Sequence, residues 1–367
     1  MIRSALALTA LTVSTGVAQA GGIDRSGTPI DIIFEEGNYA TLSYGYADPS
    51  LTGVDRQGAN VRNIAAGFGL VGVALKLDIA ENVSLAFILD EPYGVDVEYG
   101  PESAVLGGTL ADAESYGITT LVRYQATDRI SVYGGPRFVR AKGQINLGGS
   151  AYFLDGYESN FASDTGTGYV IGAAYEIPDI AFRAALTYHS EIDLSFDTTE
   201  TFPGFPLPTG VPVPTGTTNT TLPQSIKLAV QSGIATDTLV FGSVRWVDHD
   251  VFMVIPPVFP ENLASLDSSI TYELGIGRRF SERFSARASV IYEDVLADDL
   301  VSPLTPTSGF TALSIGGQYQ LTEALDISGG IRYTWLKDAT AEVSDSVVGE
   351  FRNNDVVSFG LKLGVRF

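Results

Sequence analysis

The chain has 367 residues, 45% hydrophobic and 18% charged, with 43 acids against 22 Lys and Arg and a net charge of −21. That hydrophobic share excludes a disordered chain, the negative charge disfavours a nucleic-acid partner, and a cysteine count of 0 removes disulfide scaffolds and thiolate metal sites. Only His189 and His249 remain as imidazole ligands, and beyond residue 20 no uninterrupted apolar run reaches the roughly 18 residues of a helical membrane span.

The predicted elements begin with a leader. Arg3, the apolar stretch from Ala5 to Val17 and the small-x-small site Ala18-Gln19-Ala20 read as a secretory signal peptide over 1–20, cut before Gly21. From 39 to 367 the chain repeats one pattern, apolar residues alternating with small or polar ones at period two. The runs fall at 39–46, 68–78, 83–90, 116–125, 130–138, 167–176, 180–190, 225–234, 239–247, 270–277, 284–292, 312–321, 325–335 and 357–367. The last is the cleanest, with Val357, Phe359, Leu361, Leu363, Val365 and Phe367 on one face. In a soluble sandwich or propeller the apolar face would meet a core; in a transmembrane barrel it meets lipid, and the small and charged face lines the lumen. Tyr44, Tyr46, Tyr188, Trp246, Tyr292 and Trp335 sit at strand ends, as an aromatic girdle requires.

Connections alternate in length. Short ones lie near 79–82, 127–128, 178–179, 236–237, 281–283 and 322–324, and long ones near 48–65, 98–114, 146–164, 197–222, 252–267, 294–310 and 338–354. The fold class expected is therefore all-β, a transmembrane antiparallel β-barrel of about 14 strands with both termini on the periplasmic side. The terminal Phe367 resembles the C-terminal signal of bacterial outer-membrane proteins, which makes the barrel-assembly machinery an expected partner. Outer-membrane lipid and lipopolysaccharide are the expected surroundings.

Two segments depart from the pattern. Leu85, Phe87 and Leu89 begin an outward face that Asp90-Glu91-Pro92-Tyr93-Gly94 interrupts. Proline cannot donate to the ladder and the nearby glycine permits a kink, so an inward bend would open the wall sideways. The same residues could instead start a loop. The second segment, 202–223, is rich in Pro, Gly and Thr, and its Phe202, Phe205 and Leu207 make an apolar extracellular loop.

No catalytic constellation stands out, so the chain is not expected to be an enzyme, and no metal site or cofactor is expected. His189 and Ser190 are adjacent strand residues on opposite faces and cannot form a local dyad. Alternation points many cations inward, among them Arg137, Lys227, Arg245 and Arg332 near mid-strand. Such an interior suits an anionic amphiphile, although inward acids such as Glu273, Glu293 and Asp326 could pair with these groups instead. With His189, Phe202, Phe205 and Leu207 they are the candidate ligand contacts.

Taken in order, Tyr188-His189-Ser190-Glu191-Ile192, a long loop closing on Thr221-Leu222-Pro223, Trp246 with Phe252, and Asp298-Asp299 followed by Pro303 resemble the FadL-type outer-membrane transporters. The resemblance is clearest over 165–367 and reaches the segment from Asp90 to Gly94 more weakly. It implies a monomeric barrel that imports hydrophobic small molecules, long-chain fatty acids above all. Capture would fall to the loops at 146–164 and 197–222, and exit to a lateral gap at Asp90, Glu91, Pro92 and Gly94. The family's Asn-Pro-Ala plug motif is missing, and the segment 21–38 with Ile30, Ile32, Ile33 and Phe34 is expected to serve as a reduced plug. The competing readings are an aromatic-hydrocarbon importer, a general porin and a structural or adhesive barrel.

Overall fold

Period-two alternation leaves each strand with one face for lipid and one for the lumen, and only a closed sheet satisfies every backbone group in hydrocarbon. The computed structural model describes residues 22–202, 215–259, 261–264, 266–297 and 300–367. The leader 1–20, Phe205, Leu207 and the pair Asp298-Asp299 lie outside the described residues.

Fourteen antiparallel strands form the barrel: β1 (Tyr39–Ser50), β2 (Phe68–Ala80), β3 (Val83–Asp90, continuing as Gly94–Glu98), β4 (Leu110–Gln125), β5 (Ile130–Leu147), β6 (Tyr157–Ile177), β7 (Phe182–His189, continuing as Ile192–Thr201), β8 (Thr215–Leu222, continuing as Ser225–Ala235), β9 (Thr238–Val247), β10 (Ser269–Arg279), β11 (Phe284–Val295), β12 (Phe310–Gln320), β13 (Leu325–Leu336) and β14 (Asp355–Arg366). Each pairs with its sequence neighbours, and β1 closes the ring by pairing with β2 (Tyr39↔Lys76) and β14 (Tyr39↔Arg366). Outward residues such as Leu42, Phe87, Ile118, Leu274 and Ile331 are exposed and make the lipid belt, while Arg137, Asp326 and Ser358 are buried inside. The periplasmic turns are tight; at Thr236-Asp237 the aspartate takes φ 58°, a left-handed conformation Asp tolerates.

The outer half corrects the expected loop boundaries. Strands β5 and β6 run for 18 and 21 residues, so the connection expected over 146–164 is far shorter, and much of 197–222 belongs to β7 and β8. The reason is physical. Twenty-one residues at about 3.3 Å each reach roughly 70 Å, well beyond a hydrocarbon layer of about 30 Å. Above the membrane the outward face meets water instead of lipid, so Glu158 and Asn160 stand where an apolar belt would be, while Tyr157 and Ser159 are buried on the inner face. The connections over 48–65 and 338–354 likewise hold short strands of a five-stranded cap, packed on Leu51, Val61, Tyr99, Leu106, Phe310 and Phe351.

Candidate transport path and lateral window

The lumen is divided by the N-terminal segment, which descends through it from Gly22 to the start of β1. At the periplasmic end a 3₁₀ turn, Ile30–Phe34, buries Ile30, Ile32, Ile33 and Phe34 against Tyr39, Ile88, Leu121 and Tyr133. Phe34 meets Tyr133 edge-on at 5.4 Å and lies between the guanidinium groups of Arg123 (4.8 Å) and Arg183 (4.3 Å). Glu35 accepts from Arg366 at 2.9 Å, and Lys76 donates to the Gly37 carbonyl at 2.9 Å. Burial outweighs the neighbouring cations at Glu35 and raises its carboxyl above the ordinary range.

Beside this turn a polar chamber of about 540 Å³ reaches from Tyr93 down to the periplasmic turns at 281–284 and at Glu323, and the structure brings Arg137, His189, Lys227, Arg245 and Arg332 together in its wall. The chamber's cations differ in how they are held. Arg245 pairs with Asp24 of the N-terminal segment at 2.5 Å, and Arg137 donates to Thr28 Oγ1 (3.2 Å) and the Tyr93 hydroxyl (3.4 Å). Burial pushes the Asp24 carboxyl up, but Arg245 and the other cations facing it prevail and hold it below the usual carboxylate range. Lys227 has no hydrogen-bond or ion partner among the described residues.

Next to the chamber, toward the outer face, is a smaller cavity of about 100 Å³ walled by Ile23, Val95, Phe161, Phe196, Leu222 and Val254. Tyr93 lines both, so one ligand can place an apolar body in the smaller cavity and a polar end in the chamber. Phe202 lines neither; it packs on Tyr157 at 5.2 Å above the apolar cavity.

The third strand is interrupted where Pro92 removes a donor. Asp90 pairs with Gly117 and Gly94 with Glu114, so four steps along β3 answer three along β4, and one extra residue is looped out. The inserted residue reverses the facing of the strand: Asp90 points inward before it and Val97 after it. Ladder pairing between β2 and β3 stops at Val73↔Leu89 and reappears only at the bridge Ala65↔Val97. The unpaired stretch is the candidate for a lateral window in the wall. Asp90 does not face lipid there: its Oδ2 accepts from Ser26 (2.6 Å) and Thr28 (2.8 Å). Glu91 crosses the gap to accept from the Val71 N–H at 3.0 Å.

A family model described as Outer membrane protein transport protein (OMPP1/FadL/TodX) matches residues 38–367. The chain belongs to this family. Outer membrane protein P1 of Haemophilus influenzae is 20% identical over 317 residues, covering 76% of this chain and 68% of that protein. A Pseudomonas aeruginosa FadL homologue shares the fold at a TM-score of 0.75 and 15% identity, over 96% of this chain and 98% of that one. The Pseudomonas putida toluene transporter TodX does so at 0.67 and 11%, over 96% of each chain. Membership places this barrel in the bacterial outer membrane and among proteins of transport.

Several residues of the path escaped sequence reasoning. Ser115 on β4 satisfies the kink's backbone, accepting from the Tyr93 N–H at 2.9 Å and donating to the Tyr93 carbonyl at 2.7 Å. Gly117 makes room for it, since a Cβ there would lie 2.7 Å from Asp90 Oδ1 and 3.3 Å from the Pro92 ring. Asp24, Arg25, Ser26 and Thr28 find partners more than 60 positions away. The only local sign was the turn dipeptide Ser26-Gly27, which bends the segment at Gly27 (φ 65°).

Proposed function

We propose that this chain imports hydrophobic small molecules passively, with long-chain fatty acids as the substrate class. The observation that carries this reading is the apolar cavity sharing Tyr93 with a cationic chamber beside a break in the wall. Each methylene that leaves water for the apolar cavity contributes about 0.8 kcal/mol. The carboxylate then has Lys227 within the adjoining chamber. Release through the window into hydrocarbon avoids returning the chain to water, so no energy source is required.

The test is uptake of labelled oleate and labelled toluene by cells lacking their own importer. Those cells carry this chain or the double variant Pro92→Val, Gly94→Val. Valine at 92 restores a ladder donor and valine at 94 fills the window. Oleate uptake lost in the double variant, with the barrel still heat-modifiable on a gel, supports lateral delivery. Oleate uptake no greater than the empty vector removes fatty acids. A second reading, import of one-ring hydrocarbons, is favoured by the small apolar cavity of about 100 Å³ and by the fold shared with toluene transporters; toluene uptake alone would select it.

A further inference from the structure

The window is not empty. The bridge Ala65↔Val97 lies in the same register as Val73↔Leu89, because eight steps down β2 match eight steps up β3. A continuous ladder would therefore place Phe68 opposite Gly94. Between those two residues lies Arg25. Its guanidinium carbon is 4.2 Å from the centre of the Phe68 ring, and a Cβ on Gly94 would fall 2.5 Å from it. The backbone on either side of the arginine replaces part of the missing ladder: the Arg25 N–H donates to the Pro92 carbonyl at 2.8 Å, and the Gly94 N–H donates to the Ile23 carbonyl at 2.9 Å. Asp96 and Glu91 are the acids that act on the guanidinium most strongly, followed by Asp112 and Glu114.

We infer that Arg25 is the latch of the lateral window: its side chain spans the gap between Phe68 and Gly94, and the window opens when the guanidinium leaves that place. The design is physically economical. The guanidinium is held by the Phe68 face and by the acids around it, Asp96 and Glu91 first, with no ion pair among the described residues locking it in place, so a hydrophobic solute pressing from the apolar cavity can displace it. Ile23, two residues before Arg25, already lines that cavity, so a ligand filling it bears directly on the latch strand. A side chain at 94 and the guanidinium of Arg25 compete for the same space, so a Cβ there would displace the arginine from its present place.

This inference rests on lateral exit, and the experiment separates the two. Uptake of labelled oleate and toluene is measured for Arg25→Ala, Arg25→Lys and Phe68→Leu, with heat-modifiability as the check of folding. Losing the latch should raise the rate about threefold or more for Arg25→Ala, and less for Phe68→Leu, which removes only the ring face. Arg25→Lys, which keeps a cation over the ring, should stay near the parent. Adding Arg25→Ala to the Pro92→Val, Gly94→Val background should restore no uptake, because the gain passes through the window. If Arg25→Ala and Phe68→Leu are both no faster than the parent while Pro92→Val, Gly94→Val abolishes uptake, the latch is overturned and lateral exit stands. If the double valine variant transports normally, both fall.

Discussion

Strands β12, β13, β14 and β1 form a wall as rich in glycine as the wall around β3, yet the two behave differently. Gly316, Gly330 and Gly360 lie side by side across three strands, and Gly330 approaches its neighbour so closely that a Cβ would fall 2.9 Å from the Ile315 carbonyl. Register nevertheless runs unbroken from Phe310↔Leu336 to Gln320↔Asp326, and from Tyr39↔Arg366 to Ser50↔Asp355. Around β3, one proline and one inserted residue part the ladder. Glycine thins a wall without opening it, because every N–H and C=O can still pair. An opening requires a lost donor and, in hydrocarbon, other partners for the groups set free. Ser115, Glu91 and the backbone of Ile23 and Arg25 are those partners.

The comparison can be broken most severely at the anchor of the N-terminal segment. Arg245→Met should leave Asp24 buried without its ion partner and destabilise the segment by about 3–5 kcal/mol, seen as new protease cleavage near residues 22–36. The same anchor has a signed pH dependence. Because the Asp24 carboxyl is held below its ordinary value, its contribution is complete above the ordinary aspartate range and is lost as pH falls through the lowered value. The Asp24–Arg245 anchor should therefore be intact from about pH 8 to about pH 5 and weaken only in stronger acid, read as the protease cleavage near residues 22–36 that Arg245→Met gives at neutral pH. Glu35 has the opposite sign, since burial raises it, and its contribution is present in acid and declines as pH climbs through the raised value.

A smaller effect is expected at the kink itself. Gly117→Val should push against Asp90 and the Pro92 ring, costing about 1–3 kcal/mol in thermal stability and lowering uptake. Smaller again, Lys227→Met should slow oleate uptake several-fold, as loss of about 1 kcal/mol of charge-assisted binding does, and leave toluene uptake unchanged. On the continuous wall, Ile331→Ala faces lipid and should change neither uptake nor the ligand preference. An effect there as large as at Gly117 would erase the distinction between the walls.

Much of the barrel was legible because its code is local. Alternation of Leu361, Leu363 and Val365 with Lys362 and Gly364 needs no distant partner to be read, and neither do the short turns. The interruption at Pro92 was legible too, but not whether it was a kink or the start of a loop; the resumption of β3 at Gly94 against Glu114 decided that. The outer strands were misread because their outward face meets water rather than lipid, which replaces the apolar belt with residues such as Glu158 and Asn160. Five inward candidates, from Arg137 to Arg332, share one chamber, but nothing local distinguishes Arg245, tied to Asp24, from Lys227.

The number of strands and the facing of residues in the lipid belt were set by neighbours one or two positions apart and could be read from the chain alone. Only the tertiary structure decided what fills the break. Closing the barrel brings Arg25 between Phe68 and Gly94, and Ser26 onto Asp90, across 43 to 69 positions of chain. Such contacts follow from how the sheet closes around the segment, which no local pattern encodes.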